Sequence, residues 1–413
     1  MDMIATEPGQ GPGAVVMGLG TIGLAVARSL GQMGVPVTGV DKSRLSVGHY
    51  SRYCKGIICP DMNLDEAGYV KLLTDLAAGA SEKPVLIPSR DQEVALAARH
   101  KDELARYYRI PWADDKVISR LVDKKKFYEL IRDMDIDYPA TYVPENIRHA
   151  ADISREIPYP CIVKPVDTVP FSSQFSVKCF FATNADELLR GYNMAVYSGH
   201  EVIFQEVIPG DDRCLYMPGG YFNRDSEPLG LFMQRKIRSA PAQFGIGSLI
   251  ESWNDPEVLR RGTEFLKEVG FHGIGIMEFK KDLRDGRYKV IEVNARPWTQ
   301  LYLATVSGVN LPYIAYRDAI GEPVEKALEY EAGIKWLCMS EDFRACAGRF
   351  AAGTLGMREY AGSLRGKTVY SSLDFSDPVP FLTSPLQLGN MSINYLRKKV
   401  RLAASHWTAA SPA

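Results

Sequence analysis

The chain has little of what marks several large functional classes. Its seven cysteines are scattered over 413 residues without a CxxC pair, and its six histidines form no cluster with them. That pattern excludes a disulfide framework and a cysteine–histidine zinc site, and it suits reduced thiols in a cytoplasm. Net charge is −1, from 49 basic and 50 acidic residues. So balanced a chain has no bulk attraction for nucleic acid or an anionic membrane. The longest apolar run, AVVMGLGTIGLAVA, is broken by glycine and stops at Arg28, too short to cross a bilayer. The first residues, MDMIATEPGQGPG, lack the basic start and apolar stretch of a signal peptide and read as a flexible tail over 1–13. There is no internal repeat.

What is present suits two or three domains with cores of their own. AVVMGLG then TIGLAVARSLGQMG reads as strand, glycine turn and helix, with Ile22, Val26, Leu30 and Met33 as the helix's apolar stripe. VPVTGVD and PVLIPS read as strands around the helix KLLTDLAAGA. Such alternation predicts an α/β domain with a parallel sheet, over residues 14–120. Asp123 is placed to cap a helix bearing Phe127, Leu130, Ile131 and Met134. PCIVKPV, EVIFQEVI and LFMQRKIRS read as strands, and Asp255-Pro256-Glu257 as a helix start. Their looser interleaving predicts an α+β domain over 121–325. A mixed extension, 326–413, ends in the basic YLRKKVRLAASHWTAASPA.

Two stretches carry chemistry. Gly18-Leu19-Gly20-Thr21-Ile22-Gly23 follows a strand, with Asp41 eighteen residues beyond Gly23. It matches a dinucleotide-binding fingerprint, whose glycines let backbone N–H groups approach a pyrophosphate. A tight strand-to-helix turn selects the same glycines for packing alone. The second stretch is MEFKKDLRDGRYKVIEVNAR. Two strands joined by a three-residue loop at Arg284-Asp285-Gly286 would set Glu278 opposite Glu292. Period-two alternation then lines Glu292, Asn294 and Arg296 along the same face. Two bare carboxylates about 5 Å apart repel by roughly 3 kcal/mol at an effective dielectric near 20. A hard dication taking carboxylate and amide oxygens, with phosphates, would offset that. The alternative is a solvated hairpin with Arg296 neutralising one glutamate.

VDKKKFYELIRDMDIDYPATY, CIVKP, VIFQEVIPGDD, FMQRKIRSAPAQFGIGSLIES and MEF…VIEVNAR occur in this order. In that order they resemble the ATP-grasp superfamily, specifically its carboxylate–amine ligases. SRYC and VLIPSRDQEV resemble the Rossmann-like domain that precedes the ATP-grasp fold in that branch, and WLCMSEDF and DFSDPVPFL extend the likeness more weakly. The resemblance implies that Lys124 and Lys164 contact ATP phosphates, and that Glu206 and Ile208 offer backbone groups to adenine. Asp212 would accept ribose hydroxyls. Glu278, Glu292 and Asn294 would hold Mg²⁺ or Mn²⁺. Lys236 and Arg238, two apart on one strand face, resemble the family's K-x-R and would hold a γ-phosphate or a substrate carboxylate. The bland reading of that pair is an exposed, charged edge strand. Arg296 would stabilise an acyl phosphate and the oxyanion formed on amine attack. One departure stands out: VDTVPFSSQFS has no glycine where many relatives carry a glycine-rich phosphate loop, so Ser172 and Ser173 would donate instead. SAPAQFGIGS reads as a mobile loop near the site.

The implied reaction is ATP-dependent joining of a small-molecule carboxylate to an amine through an acyl phosphate, with ADP and phosphate released. A homodimer is compatible with the family. Two rivals are a Rossmann oxidoreductase using NAD(P) or a flavin, and a catalytically silent nucleotide-binding module. The presence of Lys164, Glu278, Glu292, Asn294 and Arg296 together speaks against the silent module.

Overall fold

Alternating apolar residues of the first strands feed two cores. The computed structural model describes residues 11–240 and 245–384, apart from 352 and 354 and the side chain of 348. Most of the predicted tail, residues 241–244 of SAPAQFGIGS and the basic C-terminus lie outside them. β1 (Ala14–Met17), β2 (Val37–Asp41), β3 (Lys55–Ile58) and β4 (Val85–Pro88) form a parallel sheet in the order β3-β2-β1-β4. Ala14 and Val16 pack with Val26 and Leu30 of the helix Thr21–Gly31. Val15 and Met17 pack with Val70 and Leu73 of the helix Glu66–Ala77. Helices therefore cover both faces, as a buried parallel sheet requires. Met33 falls beyond its helix and is half exposed.

The glycine turn is occupied by the protein itself. Gly18 has φ 83°, and a Cβ there would meet Ser89 Oγ at 2.6 Å and the Glu93 carboxylate at 2.7 Å. A Cβ on Gly23 would lie 1.9 Å from the Gly18 carbonyl oxygen. Asp41 is 1 % exposed and turned back on the turn, accepting from the backbone N–H groups of Leu19 (2.8 Å) and Ser43 (2.9 Å). Gly18 thus makes room for Ser89 and a fully buried Glu93, and Gly23 for the Gly18 carbonyl.

The middle of the chain holds a smaller antiparallel sheet, β5 (Thr141–Tyr142), β6 (Cys161–Pro165), β7 (Phe180–Ala182) and β8 (Val202–Glu206), in the order β5-β8-β6-β7. The helices Ile147–Glu156 and Ala185–Tyr197, capped by Asn146 and Asn184, pack on it through Ala150, Ile153, Leu188 and Tyr192. VDTVPFSSQFS is not a loop. It forms the helix Thr168–Phe175, capped by Asp167 and ended by Ser176 at φ 62°. Phe171 anchors it, with ring centroids 4.8 Å from Phe175 and 5.0 Å from Phe180.

The third sheet has seven strands: β9 (Leu215–Phe222), β10 (Pro228–Ala240), β11 (Ile246–Ser252), β12 (Gly273–Lys281), β13 (Tyr288–Asn294), β14 (Lys335–Leu337) and β15 (Thr368–Tyr370). Their order is β13-β12-β9-β10-β11-β14-β15. β10 therefore lies inside the sheet, which removes the edge-strand reading of its charges. β10 and β11 also reach into SAPAQFGIGS, so that stretch is strand on both sides of the undescribed residues. The extension is no separate layer: β14 and β15 continue the sheet, and Asp377 reaches the first domain. There it accepts from Arg28 Nε (2.9 Å), Ser51 Oγ (2.7 Å) and the Arg52 backbone N–H (2.9 Å).

The hairpin has the predicted pairing for a different reason. Asp282 and Arg287 close the turn, leaving four residues, Leu283 to Gly286, rather than three. On that count Glu278 would face residue 291. A bulge between Phe279–Val290 and Glu278–Glu292 inserts Ile291 and restores the opposition of the two glutamates. The Ile291 carbonyl accepts from Tyr128 Oη at 2.6 Å, so the bulge is held by the helix Lys124–Asp133.

Candidate active site

Three elements converge on the paired glutamates. Glu278 and Glu292 come from β12 and β13, and Lys236 comes from β10, its Nζ 3.0 Å from Glu278 Oε2. Lys164 comes from β6 of the smaller sheet, with Nζ 3.5 Å from Gln205 Oε1 and 5.9 Å from the Tyr128 ring centre. Lys124 opens the helix that bridges the two sheets. Asp123 caps that helix through the N–H groups of Lys125 and Lys126. The Lys124 ammonium donates to the Val166 carbonyl (2.7 Å) and Thr168 Oγ1 (3.1 Å).

These lysines change the argument about the acids. The repulsion expected of Glu278 and Glu292 is already offset in the protein by ammonium groups, so it does not by itself require a metal. Burial pushes the Glu292 carboxyl up, but Lys164, Lys236, Lys124 and Lys178 outweigh it and hold the group below the usual carboxylate range. Burial pulls Lys236 down, yet the contact with Glu278 and the field of Glu292 raise it overall. Lys124 goes the other way. Burial, with the nearby charge of Lys164, lowers it to about 8.

Among the described residues, no group of three or more His, Cys, Asp or Glu side chains could hold a metal ion alone. Two opposed carboxylates with the Asn294 amide on the next same-face position still fit a Mg²⁺ ion. Such an ion commonly takes one or two carboxylates and fills its other positions with phosphate oxygens and water.

Glu206 and Ile208, but not Asp212, border a pocket of about 380 Å³ walled by Pro160, Phe181 and Val207 and by Lys280 and Arg284. The Glu206 N–H is committed to the Ala140 carbonyl at 2.9 Å, and its side chain pairs with Arg284 Nη2 at 2.5 Å. Asp212 Oδ2 accepts from the Ser239 N–H at 2.8 Å, whereas Oδ1 is buried without a partner. An unpartnered buried acceptor is costly, and a ligand donor would relieve it.

Arg238 does not join Lys236. The β10–β11 register shifts on both sides of Arg238, and its guanidinium turns to Asp342 (Nε 2.8 Å, Nη2 2.9 Å) and Ser363 Oγ (2.7 Å). Asp342 is fully buried and belongs to WLCMSEDF, so Arg238 ties the extension to the sheet. The expectation of one shared face fails because a bulge interrupts the two-residue period. Ser172 Oγ is buried without a partner on the helix Thr168–Phe175.

Arg296 lies beside Asn294, donating to its Oδ1 at 2.9 Å, and grips Asp91 in a two-pronged pair at 2.7 and 3.0 Å. Sequence reasoning missed Asp91, although it sits inside the quoted VLIPSRDQEV. It also missed Lys178, which lies on no motif, and Arg284, which reads as a turn residue.

No protein-family model matches the chain. It is 27% identical over 291 residues to a D-aspartate ligase of Enterococcus faecium, covering 67% of this chain and 69% of that protein. It is 23% identical over 232 residues to the carbamoyl phosphate synthase large chain of Methanobrevibacter smithii, covering 52% of this chain and only 20% of the relative. Among solved structures, N5-carboxyaminoimidazole synthetase of Staphylococcus aureus complexed with ADP superposes with a TM-score of 0.60 at 16% identity. That match covers 78% of this chain and 80% of the other. The biotin carboxylase domain of Hydrogenobacter thermophilus 2-oxoglutarate carboxylase, in complex with MgADP, also gives 0.60, at 18% identity over 78% and 73%. The chain is thus similar to ATP-grasp carboxylate–amine ligases and shares the fold of its structural neighbours.

The likeness supports ATP-dependent carboxylate–amine ligation. Gly18 and Gly23 of the glycine turn serve packing within their own domain. Among the described residues no helix is long and apolar enough to cross a membrane, and all seven cysteines are free.

Proposed function

We propose that this ATP-grasp ligase phosphorylates a small carboxylic acid with ATP and passes the acyl group to an amine, releasing ADP and phosphate. A carboxylate is a poor electrophile because oxide is a bad leaving group, and an acyl phosphate replaces oxide by phosphate. The protein then has to position the reactants and stabilise charge. Lys124 and Lys164 neutralise the triphosphate as point charges, aided by Lys236 when it leaves Glu278. The pocket at Glu206 and Ile208 takes adenine, and the free Asp212 Oδ1 accepts from ribose. Glu278, Glu292 and Asn294 hold Mg²⁺ (Mn²⁺ suits the same oxygens), which when bound screens the phosphate charges. Arg296 steadies the acyl phosphate and the oxyanion. Arg238 is better read as an anchor for the extension than as a substrate ligand.

One observation carries this reading: the opposed Glu278–Glu292 pair lies in the field of lysines from two different sheets, Lys236 beside Glu278 and Lys164 from the smaller sheet. The relative named D-aspartate ligase suggests an amino dicarboxylic acid as the acid substrate. We place a Rossmann-like domain at 14–120, the ATP-grasp domain at 121–325 and the extension at 326–413, the last docked on both. Free thiols fit a cytoplasmic protein. A homodimer is consistent with the structural neighbour described as a dimer.

The test is Mg-ATP with D-aspartate and hydroxylamine, which traps an acyl phosphate as a coloured hydroxamate. Hydroxamate and ADP are expected in step, and Glu292→Gln should abolish both while leaving the fold intact. Undiminished ADP formation in that variant would end the metal assignment.

A further inference from the structure

The guanidinium of Arg296 is almost fully used by the protein's own groups. Its Nε donates to Asp91 Oδ1 (2.7 Å), and its Nη2 donates to Asp91 Oδ2 (3.0 Å) and Asn294 Oδ1 (2.9 Å). Its Nη1 donates to the Pro297 carbonyl at 3.1 Å. An arginine has five N–H donors, so a single Nη1 hydrogen is left. The two-pronged edge that best fits a carboxylate or phosphoryl group is the edge Asp91 fills.

The two partners differ in freedom. Arg296 is 17% exposed, fixed by Asn294 and Pro297 on the catalytic hairpin, whereas Asp91 is 48% exposed. Asp91 opens the helix Asp91–Arg99, just past the carboxyl end of β4, where ligands of open parallel sheets gather. The backbone beneath it is pinned: Ser89 and Arg90 both bond to the fully buried Glu93. Only the Asp91 side chain has room to move, and water can take its oxygens when it does.

We propose that Asp91 is a positioning residue that occupies the acid-binding edge of Arg296 in the substrate-free ligase and yields it to the incoming carboxylate. The inference rests on the role given to Arg296 above. Binding of the acid is then an exchange of one carboxylate for another on the same fork. The exchange keeps Arg296 aimed and paired at every stage, and it sets the acid affinity by competition with a residue of the first domain.

Two measurements decide it. The first needs no substrate: phenylglyoxal modification of Arg296, followed by peptide mass spectrometry, with Arg284 as internal reference. Asp91→Asn should speed modification of Arg296 severalfold relative to Arg284, and Asp91→Glu should restore protection. Equal rates in wild type and Asp91→Asn would overturn the proposal. The second uses D-aspartate in the hydroxamate assay. Asp91→Asn should lower its KM, by about tenfold if one charged contact is released, and by more than any change in the KM for ATP. A fall in kcat with the D-aspartate KM unchanged would mark Asp91 as merely structural and also overturn it. If neither protein gives hydroxamate, the D-aspartate reading fails alone, and the modification rates still decide the role of Asp91.

Discussion

Replacing Lys236 by methionine tests whether ammonium groups hold the glutamate pair together before nucleotide binds. The substitution keeps the apolar stem and removes the charge 3.0 Å from Glu278 Oε2. The two groups are 9% and 15% exposed, so solvent screens them little. Breaking a buried pair from one side costs about 3–5 kcal/mol, most of it from the acid left behind. Here Lys164, Lys124 and Lys178 remain near Glu292, which favours the lower end. A loss of about 3 kcal/mol lowers Tm by roughly 6–12 °C for a cooperative unit of a few hundred residues. The sign with pH follows from Glu292. Its folded carboxyl lies below the unfolded value, so its stabilisation is present above about pH 4.3 and fades as pH falls through the folded value. The lysine-to-methionine variant forfeits part of that term, so its deficit should be largest near neutrality and shrink in acid. Millimolar Mg²⁺ should stabilise the variant more than the wild type, because a dication can stand in for the missing ammonium. Differential scanning fluorimetry across pH, with and without Mg²⁺, reads all three effects. A Tm deficit under 2 °C at neutral pH, or one that grows in acid, would refute the reasoning.

Asp377→Ala should cost about 3–5 kcal/mol, since it strands Arg28, both side chains being 1% exposed. Urea unfolding measures it, and combining it with Arg28→Met should recover part of the loss. Affinity for Mg-ATP should fall as pH rises past about 8, where the substrate-free Lys124 loses its proton, and Lys124→Arg should flatten that dependence in calorimetric titrations.

Local signals in the sequence were enough for the elements. Asp123 and Asp255 cap the helices they were expected to open, because a cap needs only a side chain and the next N–H groups. The alternating hairpin likewise placed Glu278 against Glu292, though an extra turn residue and a bulge had to cancel for the pairing to hold. A missing glycine suggested an unusual phosphate loop but could not show that a phenylalanine cluster makes it a helix.

Only the tertiary structure decided where the charges end. Arg296 meets Asp91 across 205 positions, Arg238 meets Asp342 across 104, and Glu93 fills the glycine turn from the helix Asp91–Arg99. No period or cap encodes such partners. They depend on which sheet ends are brought together, and a long charged side chain pairs with whatever opposite charge packing leaves within a few ångströms. The residue types that make ATP chemistry possible are therefore written along the chain, while the fold alone chooses which of them face the site and which hold the domains to one another.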